Sequence, residues 1–352
     1  MVGPSLKSVA QAAGVSVSSV SNAYNRPEQL SEQVRARILA VAKEQGYAGP
    51  DAAARSLRSR RAGAIGTLFT ERLSYAFSDP YSVGMLAGIT EIAEQYRSGL
   101  LLIPLGHVES DDAEGVRASV EAARQAVVDG VVAYCVDPDH PAREVMRSRG
   151  LPIVSSTLAG SAGEKSVTID EVGAGREVGA LVRRLGHRRV GLLIDSGRPT
   201  GDVVEVTDDL SGIYEDARLR LQGWREGLGA DVETLVVTGG HNAVESGRAG
   251  AEHLLDRGDR PTAIIAVSDV LALGVLQALE PRRLQPGRDI SVVGFDDIPA
   301  AVTAGLTTVR QPVSEKGRLM ARMLLDPTFT DDHVVLPTQL VVRASTGPAP
   351  AR

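Results

Sequence analysis

The chain has one cysteine among its 352 residues, Cys135, which excludes both a disulfide framework and a thiolate metal site within one chain. The expected role of Cys135 is that of a buried small hydrophobe. The six histidines never fall at the spacing of paired metal ligands, and His187, directly after Gly186, reads as part of a structural turn. Long apolar runs are missing too. No stretch of about 18 apolar residues offers a membrane span. Residues 1–30 lack the apolar core of an export signal, so the protein is expected in the cytoplasm, with no membrane partner. The phosphate-binding loop of nucleotide hydrolases, the HExxH zinc helix and the GxSxG nucleophile turn do not occur. Gly173-Ala174-Gly175-Arg176-Glu177-Val178-Gly179 follows an apolar stretch at 167–169 and looks at first like a dinucleotide loop. Its spacing is not GxGxxG, and Asp170 and Glu171 stand just before it, where a pyrophosphate would be repelled. No catalytic residue, cofactor or metal is therefore expected, and the chain does not read as an enzyme.

What the chain does have is a basic head. Residues 1–61 hold nine Lys and Arg against four acids, a net +5 in a chain of −6, which leaves −11 on the remainder. Such a head on an acidic body suits a protein whose head alone touches phosphate. Within it, Ala10, Gly14 and Val20 sit at offsets 0, 4 and 10, the packing pattern of a helix-turn-helix. The small residue lets two helices approach, the glycine makes the turn, and the β-branched residue closes the core. Ser16 is placed to cap the second helix. Ser31 caps a third, whose Val34, Ile38, Leu39 and Ala42 recur at helical spacing, and Gly46 stops it. After Pro50, Asp51 and the alanines at 52–54 favour a new helical turn, yet Leu57 is the only sizeable apolar side chain there. So short a segment is expected to order only when something holds it.

The remainder has a different texture. Apolar runs of strand length lie at 64–69, 100–105, 130–134, 152–155, 190–194, 235–238, 263–267 and 290–294. Amphipathic helical patterns separate them, as at 81–96, 173–185 and 243–257. Continuous apolar strands alternating with helices indicate parallel sheets covered on both faces. About 290 residues is too many for one sheet core, so two doubly wound lobes are expected, with a ligand cleft between them beyond the carboxyl ends of the strands.

The run 6–59 resembles the DNA-binding head and hinge of the LacI/GalR family of bacterial regulators, without a gap until one extra residue near Gly49. The body resembles the family's periplasmic-binding-protein-like effector domain. The matching pieces include Asp79-Pro80-Tyr81, Leu185-Gly186-His187, Gln222-Gly223-Trp224, Val267-Ser268-Asp269, Gly294-Phe295-Asp296-Asp297 and Gln311-Pro312. They occur in family order from end to end of the chain. The resemblance implies an α/β protein with a three-helix head at 1–48, a hinge helix at 49–61 and an effector and dimerisation domain at 62–352. It places lobe 1 at about 62–161 and 309–340 and lobe 2 at about 162–308 and 341–352, with crossings near Ser161, Thr308 and Val341.

The same resemblance implies the sites. Val17, Ser18 and Asn22 would face base edges, while Ser5, Leu6, Ser16, Ser19, Ser21, Asn25, Ser31 and Tyr47 fall on phosphate-contact positions. In the hinge, Leu57 would be the wedge that kinks the duplex, and Ala54 and Arg58 fall on further DNA-contact positions. The family often carries arginine where this chain has Asn22; arginine pairs with guanine and asparagine with adenine, so a different half-site is implied. Effector-contact positions fall on Thr70, Tyr134, Thr157, Asp216, Arg220, Asn242, Ser268, Asp296 and Gln311. Arg220 would offer a donor fork and Asp296 would accept from paired hydroxyls, chemistry suited to a small carbohydrate-like effector. Tyr134, Thr157 and Asn242 depart from the family's familiar residues, so no relative's ligand can be copied. The stretch 196–216 is longer than the usual connection, holds six acids and one base, and is expected near the cleft mouth. Only nine residues follow Arg343, too few for a tetramer-forming helical tail, so the implied partners are a palindromic DNA operator, the effector and a second copy in a homodimer. Whether the effector releases DNA or tightens the grip on it stays open, as does a plain ligand-binding role with a degenerate head.

Overall fold

The computed structural model describes residues 4–49, 61–69, 73–105, 113–157, 163–207, 210 and 212–351. They belong to two compact units, divided between Gly63 and Ala64.

The first unit contains α1 (Leu6–Ala13), α2 (Val17–Asn25) and α3 (Glu32–Glu44). Each begins on a serine. Ser5 and Ser8 form a reciprocal capping box, Ser16 Oγ accepts from the Ser19 N–H at 3.0 Å, and Ser31 Oγ accepts from that of Val34 at 3.4 Å. Gly14 closes α1 at φ 68°, a conformation that a side chain would resist, and this turn swings α2 across α1. Val9, Ala10, Ala13, Val20, Ala23, Ile38 and Ala42 are buried where the three helices meet. The spacing of Ala10, Gly14 and Val20 thus makes the helix-turn-helix it predicts.

The second unit starts with β1 (Ala64–Phe69), α4 (Leu73–Ser78), α5 (Pro80–Gln95), β2 (Gly99–Pro104), α6 (Ala113–Gln125), β3 (Val131–Tyr134), α7 (Pro141–Ser148), β4 (Ile153–Ser155) and β5 (Lys165–Ile169). Next come α8 (Glu171–Arg184), β6 (Arg189–Ile194), β7 (Val204–Glu205), α9 (Glu215–Leu228), β8 (Glu233–Thr238), α10 (Val244–Leu255), β9 (Ala263–Ala266), α11 (Asp269–Leu279), β10 (Ser291–Val293) and α12 (Pro299–Thr303). The chain finishes with β11 (Thr308–Arg310), α13 (Val313–Leu325), β12 (His333–Leu336) and β13 (Gln339–Val341).

Two sheets result. One has the order β12-β5-β4-β3-β1-β2 and is parallel throughout. The other has the order β10-β9-β6-β8-β7 and is parallel except at its β7 edge. In the first lobe, Ile65, Phe69 and Val132 pack to one face, and Leu68, Val131 and Ala133 to the other. Burial on both faces is why these strands read as unbroken apolar runs. The second lobe closes around Trp224, Leu192, Ile264 and Phe295, all fully buried. A two-stranded antiparallel ribbon of β11 and β13 joins the lobes.

Two expectations need correction, the lobe crossing and the loop at 196–216, while the helix read over 173–185 is present and shows what its glycines do. The crossing placed near Ser161 falls on undescribed residues, but β5 still pairs with β4 and β12 in the first sheet, so lobe 1 extends through Ile169. The glycines at 173–179 form no nucleotide loop. They lie within α8, where a Cβ on Gly175 would stand 2.7 Å from the Arg220 carbonyl oxygen and one on Gly179 2.4 Å from that of Trp224, so they let α8 and α9 pack backbone to backbone. The stretch 196–216 is no free loop either. Its β7 extends the second sheet against β8, Val203, Val206 and Tyr214 pack on the lobe core, and Asp202 and Glu205 pair with Arg198 and Arg257.

Candidate functional site

The first unit presents a basic surface. Lys7, Arg26, Arg35, Arg37 and Lys43 are all exposed. Ser5, Ser16 and Ser31 are exposed at three helix N-termini, where backbone N–H groups and the helix dipole favour phosphate. On α2, Val17 and Ser18 are exposed and Ser19, Ser21 and Asn22 half-buried. Gln29 Oε1 accepts from the Asn22 side-chain amide at 3.0 Å, and Asn25 donates to Ser21 Oγ at 3.2 Å. Leu6 is half-buried, as is Tyr47, which sets its ring edge-on to Tyr24 at 6.1 Å. Ala54, Leu57 and Arg58 lie outside the described residues.

In the second unit, the strand ends of both lobes face one another across a cleft enclosing about 760 Å³, its open mouth included. Seven of the nine residues expected to contact effector line it: Tyr134, Thr157, Asp216, Arg220, Asn242, Ser268 and Asp296. Gln311 stands just behind, donating through Nε2 to Asp296 Oδ1 at 2.6 Å. Thr70 lies outside the described residues. Cys135 packs on the first-lobe core but is only partly buried: it also lines the cleft, at φ 48°, with its N–H donating to Ser156 Oγ at 3.0 Å.

Arg220 is held from several sides. Its Nε donates to Glu171 at 2.7 Å and a terminal nitrogen to the Val267 carbonyl at 2.7 Å, while the guanidinium stacks 3.8 Å from the Phe295 ring centre. Asp216 lies 3.7 Å from it, one turn earlier on α9. Its ion-pair partners are therefore Glu171, the residue that precludes a dinucleotide loop, and Asp216; Asp296 is not in ion-pair contact with it. Asp296 sits at φ 116°, strained for any residue with a side chain, and its amide is anchored to the Val309 carbonyl at 2.8 Å. Burial raises its pKa far above the carboxylate range, with Arg220 opposing and Asp269 and Asp79 adding to the rise.

Two polar bridges cross the cleft. Asn242 donates to the Tyr75 hydroxyl at 2.8 Å while accepting from Ser268 Oγ at 2.5 Å. Tyr81, stacked on Tyr134 at 6.0 Å, lies between the Lys316 ammonium at 3.3 Å and Gln311 Oε1 at 3.4 Å. Behind Tyr134, Asp79 caps α5 through Ser82, and burial raises its pKa. Fixed donors and acceptors converging on one stacked aromatic pair suit a small molecule rich in hydroxyl groups. Among the described residues, no cluster of His, Cys, Asp and Glu could hold a metal ion, and no helix is long and apolar enough to cross a membrane.

The sequence reading missed Tyr75, Tyr81, Glu171, Asp195, Tyr214 and Lys316. Asp79-Pro80-Tyr81 marked one of these places, but nothing in the local pattern separates Lys316 from an ordinary surface lysine on an amphipathic helix.

Residues 5–49 match the family described as bacterial regulatory proteins, lacI family, and residues 180–346 match the periplasmic binding protein-like domain. An HTH-type transcriptional regulator of Mycolicibacterium smegmatis is 39% identical over 97% of this chain and 96% of its own. The ribose operon repressor of Escherichia coli is 31% identical over 97% of this chain and 99% of its own. Among solved structures, the lac repressor dimer bound to operator and the anti-inducer ONPF superposes with a TM-score of 0.76 at 25% identity, covering 98% of this chain and 99% of that one. The complex of the transcriptional regulator CelR with cellobiose gives 0.66 at 27% identity, over 97% and 99%.

Proposed function

The chain belongs to the LacI family of bacterial regulatory proteins, and from that premise we propose that it is a repressor acting in the cytoplasm, whose operator affinity is set by a small sugar-like effector. Residues 1–48 would be the DNA-reading head, 49–61 the hinge and 62–352 the effector and dimerisation domain. Two copies would place their heads on a palindromic operator, with Leu57 as the minor-groove wedge. The observation that carries this reading is the cleft, where Arg220, Asp216, Asn242, Ser268 and Asp296 converge opposite Tyr134 and Thr157. Relatives named for ribose and cellobiose lend it support.

The test is an operator titration on the chain's own upstream DNA, with and without ribose, cellobiose and other neutral sugars. A matched variant, Arg220→Met with Glu171→Gln, removes the donor fork together with the charge of its shortest carboxylate partner. It should lose about 2–5 kcal/mol of effector affinity. If effector releases DNA, this variant stays on the operator when effector is added. If effector is a co-repressor, the variant fails to tighten. Unchanged effector binding by calorimetry would remove the cleft assignment.

A further inference from the structure

Lys316 is only 3% exposed, yet it is one of the two cations lining the cleft. The other, Arg220, is already ion-paired with Glu171 and bonded to the Val267 carbonyl, which leaves only part of its five-donor fork for a ligand. Lys316 has one hydrogen bond among the described residues, to the neutral Tyr81 hydroxyl at 3.3 Å, and no carboxylate in ion-pair contact. An ammonium carries three donors, so two are left over. Burial pushes its pKa down, while the fields of Glu171 and Asp216 work the other way. A buried charge with so few partners costs stability, and an apolar side chain of the same length would fill the space more cheaply. The ammonium makes sense where a ligand completes its hydrogen bonds.

The chemistry of that ligand follows from the surrounding charge. Among the described residues, five carboxylates and two cations line the cleft. Burial raises the pKa of Asp79 and of Asp296, and even with neither of them counted as charged, three carboxylates face two cations, so no surplus of positive charge is left to welcome a phosphate or carboxylate. We propose that Lys316 is a specificity-determining residue of the effector site, donating to one oxygen of an uncharged polyol. Through Tyr81 and Gln311 the same ammonium is hydrogen-bonded in line with Asp296, so a ligand oxygen at Lys316 engages one end of a polar chain whose other end is in lobe 2.

This inference rests on the sugar-like reading of the effector, and the experiment separates the two. The full chain is titrated by calorimetry with neutral monosaccharides, disaccharides and cyclic polyols, each matched with its phosphate ester and its uronic acid. The best neutral binder is then supplied as a series in which each hydroxyl in turn is replaced by hydrogen. Wild type should lose about tenfold to a hundredfold in affinity for one deoxy analogue, as for a hydrogen bond from a charged donor. Lys316→Met should bind the parent that much more weakly and be indifferent to that one deletion, and Lys316→Arg should recover part of the loss. Without ligand, Lys316→Met should melt at a higher temperature than wild type. Overturning results are a lower melting temperature, which would mark Lys316 as a structural strut, or equal losses by wild type and Lys316→Met across the whole deoxy series. A phosphate ester or uronic acid that binds more tightly than its neutral parent would overturn the charge argument. A panel in which nothing binds wild type removes the sugar-like reading and this proposal with it, whereas equal parent affinity in wild type and Lys316→Met removes this proposal alone.

Discussion

Asp269 has no exposed surface and opens α11 at the point where the second lobe meets the crossing strands. Thr308 Oγ1 donates to one carboxyl oxygen at 2.6 Å and the Ile298 N–H to the other at 2.9 Å. These bonds do not offset desolvation, and burial pushes the group up to about 7. The sign follows. Between the ordinary carboxylate range and about pH 7 the native state keeps a proton that the unfolded chain has lost, so this group's contribution to stability falls as pH rises through that window. One such group gives a slope of at most about 1.4 kcal/mol per pH unit. Asp269→Asn mimics the protonated acid, its amide donating to Thr308 and its oxygen accepting from Ile298. Denaturant unfolding at pH 5 and pH 7 should therefore show a smaller loss in the variant than in wild type; equal losses would show that Asp269 is ionised in the native state. Residues of this kind mark the limit of what the sequence reveals. Arg220 and Asp296 were found by position in a family pattern, but the partner of each was not. Glu171 reaches Arg220 from 49 positions away, and Gln311 reaches Asp296 only because β11 returns along the cleft.

Elements were far more legible than partners. Each apolar run of strand length became a strand within one or two residues of its expected ends, and most of these strands are buried on both faces; the β2 edge strand, with alternate residues exposed, is the exception. The lobe crossing was misplaced because β5 and β12 join the first sheet only through pairing between residues far apart, which no local period encodes. The α8/α9 contact is a third case. Its glycines resemble a binding motif in one dimension and serve as a packing groove in three. A Cβ on Gly223 would stand 2.2 Å from the Val172 carbonyl oxygen, backbone that cannot step aside like a flexible side chain. Gly223→Ala should therefore cost about 1–3 kcal/mol or more in thermal or denaturant unfolding. Gly258→Ala, where nothing lies within 4 Å of the added carbon, is the control. If both variants unfold with wild type, the two helices are not packed as tightly as described.

At the scale of the whole molecule, charge is divided unevenly along the chain: +5 on residues 1–61 and −11 on the rest. That division was readable from composition alone, and six cations of the head are exposed among its described residues. The attraction to DNA is thereby confined to the head, while the body adds repulsion that any counterion atmosphere screens. Operator affinity should fall steeply with salt, with log affinity against log salt dropping by about 0.9 for each phosphate neutralised. Lys7, exposed on the first turns of α1 beside the Ser5 cap, is a clean probe because its side chain supports nothing in the head's core. Lys7→Gln should make the slope shallower by about 1 for each head bound, and should weaken specific and random DNA by similar factors, as a phosphate contact does. If Asn22 reads a base edge, as proposed, it behaves differently: Asn22→Ala should narrow the gap between operator and random DNA and leave the slope unchanged. Both variants are measured by fluorescence anisotropy on the two DNAs from 50 mM to 200 mM salt, the range over which counterion release dominates. A wild-type slope near zero would mean that the head's charge does not meet the phosphate backbone. A Lys7→Gln variant that loses operator alone would move that residue from the backbone to the bases.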